Sequence, residues 1–372
     1  MERHPKTKRV LFMGLNSLLT LPPIKQLYQS LYFENDLSVV HVNINSEEDF
    51  FVGPRTIVYK IANCNLFSEF SHQNFQTKVL KYIKLVYFYL SIAIRREDKI
   101  DIFTFDIFST FIASLVKNKD TKVIYIQYEL IEIEFLSILD KLFLKLLMIN
   151  ANHIDLFVCP ENNRLELNKK LFCKLNHEKF FCLPNSNNNN LIENSILLNR
   201  NKIIITHVGA IGDDNHFINE LIVAIRLFDK DLFEFRFVGN ISHLIREKLG
   251  SLGSNVKLFT QVKHSDLNLI YRETDIGLIL YKGTSFNFEY CAPNKLYEFW
   301  SYGIPVIGHE LIGLKSVFRD PCQGYLIDMN EPSLFLDAVN HCRFQSRPCL
   351  LNYFKDNFKL DIYIEELNLK LK

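Results

Sequence analysis

Residues Ala292 to Gly308 read APNKLYEFWSYGIPVIG. Asn294 is a good N-cap, Lys295 to Tyr302 carries a helical pattern, and Gly303 stands where a left-handed C-cap is wanted. Pro305 then stops the helix and Val306-Ile307 starts a strand. Such a helix has free backbone N–H groups at its start, beside Lys295 and after the flexible Gly283-Thr284-Ser285. That arrangement suits a diphosphate. Glu298 follows Asn294 by one helical turn, on the same face, where a carboxylate can accept hydrogen bonds from a ribose diol. A capped helix with one exposed Glu would give the same spacing, so the stretch alone does not fix the chemistry.

Around this stretch the second half of the chain alternates strands and helices. Strands are predicted at Lys202 to Val208, Phe233 to Val238, Val256 to Phe259, Ile276 to Leu280, Pro305 to Ile307 and Gly324 to Ile327. Helices are predicted at Phe217 to Phe228 and Asp266 to Glu273. The first half alternates in the same way, with strands at Arg9 to Leu15, Leu37 to Ile44, Thr56 to Ile61, Ile102 to Phe105, Lys122 to Gln127 and Ile154 to Cys159. Repeated βα alternation makes parallel sheets covered by helices on both faces. Between the halves, Pro184 to Asn190 is polar, offers no side chain to bury and reads as a linker. The expected division is 1–185, 186–345 and a helical tail, 346–372, packing back on the first domain. Two doubly wound α/β domains would face each other across a central cleft, with ligands beyond the carboxyl ends of the strands.

Composition narrows the classes. The 372 residues are too many for one ordinary core. Hydrophobic residues make up 48% and charged residues 23%, the balance of a globular protein, and a net charge of +1 gives no global pull toward nucleic acid. None of the eight cysteines forms a C-x-x-C pair or stands at zinc-finger spacing from a His, so a zinc site is not expected. Scattered free thiols suit a reducing cytoplasm. The basic N-terminus leads into an apolar run, Val10 to Leu15, too short for a signal-peptide core. Val79 to Ile94 falls short of the roughly 20 apolar residues of a spanning helix. A core helix is the favoured reading of it. A second Lys-studded apolar stretch, Phe135 to Ile149, leaves peripheral membrane contact through the first domain open.

Pro293-Asn294-Lys295-Leu296-Tyr297-Glu298, followed by Tyr302-Gly303-Ile304-Pro305-Val306-Ile307, resembles the donor-site motif of GT-B glycosyltransferases of the retaining "glycosyl transferases group 1" type. Weaker similarity runs through His207-Val208-Gly209-Ala210, Phe237-Val238-Gly239, Tyr271 to Leu278, Val123 to Leu130, Ile154 to Arg164 and Leu183-Pro184-Asn185. The resemblance implies the GT-B fold and places Glu298 on the donor ribose. It also marks departures. The first Glu of the family's E-x7-E motif falls on Tyr290, with Glu289 adjacent as a substitute. The basic pair after the Gly-rich turn is replaced by Asp213, Asp214, Asn215 and His216, and the Asp-x-His pair near the acceptor by Gln127 and Tyr128.

Together these readings give a donor set of Gly209, Asn215, Gly239, Thr284, Ser285, Asn294, Lys295, Leu296 and Glu298. The acceptor set is Gly14, Asn16, Ser17, Tyr128 and Arg164. Glu129 and Glu289 are the catalytic candidates. The leaving diphosphate would rest on the helix N-terminus, Lys295 and the two hydroxyls. The nearest acidic clusters, Asp98 to Asp101 and Asp213-Asp214, form no D-x-D at a strand end, so transfer is expected without a metal or other cofactor, the nucleotide sugar being a co-substrate. The expected function is glycosyl transfer to a saccharide or lipid-linked acceptor in cell-surface polysaccharide synthesis, in the cytoplasm or on the cytoplasmic membrane face. A sugar-nucleotide epimerase and a non-catalytic binding protein stay open as alternatives.

Overall fold

The computed structural model describes residues 9–14, 21–32, 36–41, 57–60, 83, 86–87, 90, 100–188, 201–212, 214–260, 262 and 266–372. The chain divides into two compact units, Met1–Leu183 with Tyr363–Lys372, and Pro184–Ile362.

The first unit holds a seven-stranded sheet of β1 (Arg9–Met13), β2 (Asp36–His41), β3 (Ile57–Lys60), β4 (Ile100–Thr104), β5 (Thr121–Ile126), β6 (Leu156–Cys159) and β7 (Phe180–Cys182). Their spatial order is β3-β2-β1-β4-β5-β6-β7, and every pairing is parallel. The second unit holds a six-stranded sheet of β8 (Ile203–Val208), β9 (Phe233–Val238), β10 (Val256–Phe259), β11 (Ile276–Ile279), β12 (Val306–His309) and β13 (Gly324–Ile327). Its order is β10-β9-β8-β11-β12-β13, again all parallel. Central strands such as β4, β6 and β11 are buried along their whole length, because helices cover both faces and leave no solvent side for polar residues. That is why they read as apolar runs.

Three expectations need correcting. Asn294 does not cap its helix: the helix is Asn294–Ser301, and the capping position is Pro293, whose extended backbone (φ −72°, ψ 128°) has no side-chain bond to give. Gly303 does take the left-handed conformation, at φ 68°. The polar stretch from Pro184 is not an idle linker over its described part. Ser186 and Asn187 are buried, the Asn185 amide donates to the Ala292 carbonyl at 2.7 Å, and the Ser186 hydroxyl donates to the Phe358 carbonyl. Short polar side chains can be buried where backbone groups need partners. The tail beginning at 346 is also divided. Helix Arg347–Asn357 belongs to the second unit, packing Leu350 and Phe354 into the cluster that holds Trp300, whereas Tyr363–Lys372 clusters with the first. Most of Val79 to Ile94 lies outside the described residues. Among the described residues, no helix is long and apolar enough to cross a membrane.

Candidate functional site

The carboxyl ends of β8 and β9 carry Gly209 (φ 120°) and Gly239 (φ 133°), both in conformations that side chains rarely adopt. Their backbones almost touch, since a Cβ on Gly239 would stand 2.5 Å from the Gly209 carbonyl oxygen. A Cβ on Gly209 would stand 2.8 Å from the ammonium of Lys295. The missing side chains are therefore the space into which Lys295 reaches across 86 positions of sequence.

Lys295 belongs to the first turn of helix Asn294–Ser301, where backbone N–H groups lack intrahelical partners. Its Nζ lies 4.9 Å from the centre of the Tyr281 ring, a cation–π contact. Among the described residues its ammonium has no ion-pair partner, whereas the nearby Lys282 pairs with Glu220 at 3.1 Å. Burial pushes the Lys295 pKa down to about 8, with Glu298 pulling weakly the other way.

Two histidines share this neighbourhood. His207 is fully buried on β8, its Nδ1 3.2 Å from the Leu278 carbonyl, and its Nε2 has no close hydrogen-bond partner among the described residues. His216 accepts from the Gly212 amide through Nδ1 at 3.3 Å, and its buried Nε2 has no partner among the described residues. The two rings meet edge to face at 6.1 Å, and His216 lies 5.3 Å from Tyr281. Burial first, and Lys295 second, hold His207 well below the usual histidine range and His216 at about 4. Both rings are neutral at neutral pH, so Lys295 supplies the positive charge of this cluster. Neither histidine nor Tyr281 was in the expected site. An interior His carries no spacing signal, and its contact with Lys295 exists only once the sheet has formed.

Around this centre the donor set is only partly assembled. Glu298 accepts a hydrogen bond from the Tyr271 hydroxyl through Oε2, an orienting contact the sequence did not suggest. Thr284 donates to the Asn215 side chain at 2.9 Å, tying two expected donor residues together, while the Ser285 hydroxyl caps helix Phe286–Glu289. The Leu296 side chain is buried in the core, in the cluster that holds Trp300. Glu289 points its carboxylate at the Ile312 amide (3.3 Å) and the Gly283 turn. Tyr290 stacks on Phe286 at 6.2 Å. Asp214 is exposed, and Asp213 lies outside the described residues. Beside Gly239, Asn240, Arg246, Thr260 and Val262 line a cleft of about 500 Å³.

In the first unit, Gly14 is buried after β1, and Asn16 and Ser17 lie outside the described residues. Glu129 is exposed beyond β5. Tyr128 stacks nearly parallel on Phe105, with centroids 6.2 Å apart. Arg164, expected at the acceptor, is 5% exposed and donates its Nη1 to the Tyr128 carbonyl, while its amide is capped by Glu161 at 3.0 Å. It supports the 128–129 loop from beneath, because a buried guanidinium must spend its donors locally.

Two parallel, helix-covered sheets in two units define the class: this is a GT-B fold. Solved structures match it over nearly the whole chain. The lipopolysaccharide outer core galactosyltransferase WaaB superposes with a TM-score of 0.69 at 12% identity, covering 98% of this chain and 99% of that one. Sucrose-phosphate synthase from Thermosynechococcus elongatus gives 0.70 at 12% identity with the same coverage. Anabaena HepE, solved with UDP and glucose, gives 0.66 at 12% identity, again over 98% and 99%. No curated protein matches the sequence. Residues 202–343 match the family described as "Glycosyl transferases group 1", which bears out the resemblance read from Pro293 to Ile307.

Proposed function

We propose that the chain is a glycosyltransferase whose second unit binds a nucleotide-diphosphate sugar, and whose acceptor is a saccharide or a lipid-linked saccharide of cell-surface polysaccharide synthesis. The observation that carries this reading is Lys295. An ammonium enclosed by Gly209 and Tyr281, with no carboxylate partner among the described residues, is costly unless an anion joins it. A diphosphate lying over the helix N-terminus would supply that anion, and Lys295 would stabilise it as a leaving group. The neutral His207 and His216 shape the pocket without adding charge. In this reading Glu298, oriented by Tyr271, takes the ribose, and the cleft at Arg246 and Thr260 takes the base. The fold likeness to HepE, solved with UDP and glucose, supports a nucleotide sugar as the kind of ligand. Transfer would proceed without a bound metal ion, with Glu129 and Glu289 as the carboxylates to test first. The chain would work in the cytoplasm, at or near the cytoplasmic face of the membrane.

A non-catalytic binding role is the second reading, favoured by Tyr290 at the motif position and by Glu289 facing the Ile312 amide. Thermal-shift titration with uridine, guanosine, cytidine and adenosine diphosphates tests the site. At least one should stabilise the protein, and Lys295→Ala should shrink the shift at every ligand concentration. No shift with any of them would sink the donor-site reading. A shift with no consumption of any sugar nucleotide, even with saccharide acceptors, would favour the binding role.

A further inference from the structure

Away from the donor site, the second unit gathers the Asp320 carboxylate and the thiols of Cys322 and Cys349, with one ligand atom from each lying within 4.8 Å of the others. The two cysteines are 27 positions apart and come from different elements. Cys322 sits in the one-turn helix Pro321–Gln323, and Cys349 in the first turn of helix Arg347–Asn357. The turn is held firmly. Asp320 accepts from the Cys322 amide at 2.8 Å, Gln323 accepts from the Arg319 and Asp320 amides at 2.6 and 2.8 Å, and the Trp300 indole donates to the Gln323 carbonyl at 2.9 Å. Cys322 is 3% exposed, while Cys349 opens to solvent.

We propose that Asp320, Cys322 and Cys349 form a binding site for a thiophilic divalent cation of the Zn²⁺ class, independent of the donor-site reading. Tetrahedral thiolate ligation needs metal–sulfur bonds of about 2.3 Å, and therefore ligand atoms roughly 3.8 Å apart. The ligand atoms would need to draw together by about 1 Å on binding. Two thiolates and a carboxylate select a zinc-like ion over the hard cations, and the exposed side at Cys349 leaves the fourth position to water. On binding, two metal–sulfur bonds and one metal–oxygen bond form, and the two thiol protons leave to solvent. No electron moves. The ion would tie the 320–323 turn to helix Arg347–Asn357, which packs against the helix bearing Lys295.

Titration of the fully reduced protein with Co²⁺ tests the site. One equivalent should raise an intense near-ultraviolet thiolate-to-cobalt band, which Zn²⁺ then displaces. Cys349→Ser, at an exposed position where folding is safe, should abolish the band, whereas Cys173→Ser, at another exposed thiol, should keep it. Zn²⁺ should raise the melting temperature of the wild type and leave that of Cys349→Ser unchanged. Absence of the band in the wild type, or its survival in Cys349→Ser, would overturn the proposal. So would formation of a Cys322–Cys349 disulfide with glutathione disulfide in a protein that shows no cobalt band.

Discussion

Lys295, half-buried, and Arg164, buried, are both basic side chains in the first turn of a helix, one in each unit. They spend their charge differently. Arg164 gives Nη1 to the Tyr128 carbonyl and sits above the Glu161 cap, so its surroundings use the charge to fix a loop. Lys295 meets a ring face, a glycine and two neutral histidines. A buried cation with local acceptors is scaffold. One without them, in the reading proposed for Lys295, is free to meet an anion.

The largest expected effect comes from removing Lys295. Lys295→Ala should weaken nucleoside diphosphate binding by about 10- to 100-fold, the worth of one or two charge-assisted hydrogen bonds, as read by calorimetric titration. The fold should survive, since among the described residues that ammonium has no ion-pair partner and its contact with the Tyr281 ring is a weak one. Arg164→Ala should do the reverse. It leaves the Tyr128 carbonyl short of a partner and should cost about 2–3 kcal/mol in denaturant unfolding, with nucleotide affinity unchanged. Equal effects of the two variants on both measurements would erase the distinction.

The fold was legible because parallel strands buried on both faces leave apolar runs, as in RVLFM and IIITHV. β7, with only three residues, left too short a run, and helices such as His243–Gly250 lacked a strong apolar stripe to mark them. The local geometry of the candidate site was legible where local rules reach, in the helix that carries Lys295 and Glu298 and in its stop at Gly303. It was not where chain-distant groups meet. Tyr271 against Glu298, His207 against His216, and Lys295 against Gly209 are tertiary pairings with no local signature. The same limit applied to the cysteines: no spacing rule joins Cys322 to Cys349, and the packing of helix Arg347–Asn357 does.

Acidity gives a subtler test. With its pKa lowered to about 8, Lys295 loses its proton as pH rises through that value, so diphosphate affinity should fall there. Stability of the free protein should move the opposite way. The unfolded chain holds the lysine proton up to its ordinary pKa, so between about 8 and 10.4 it binds more protons than the native state, and unfolding becomes harder as pH rises. Lys295→Met should flatten both trends. The smallest effect belongs to Tyr271→Phe, which should cost about 1 kcal/mol of nucleoside diphosphate affinity by leaving Glu298 less well oriented, and little for the bare diphosphate.

The return of the chain to its first unit carries a further consequence. Tyr363–Lys372 supplies buried Leu367 and Leu371 to that unit, and Lys122 donates to the Leu371 carbonyl. A chain ending at Ile362 would hold every residue of the second unit, while the first would still lack a piece of its core. Order of translation and order of completion are therefore inverted. The unit begun first is finished last, and protease cleavage of a purified chain truncated after Ile362 should fall mainly on residues before Pro184.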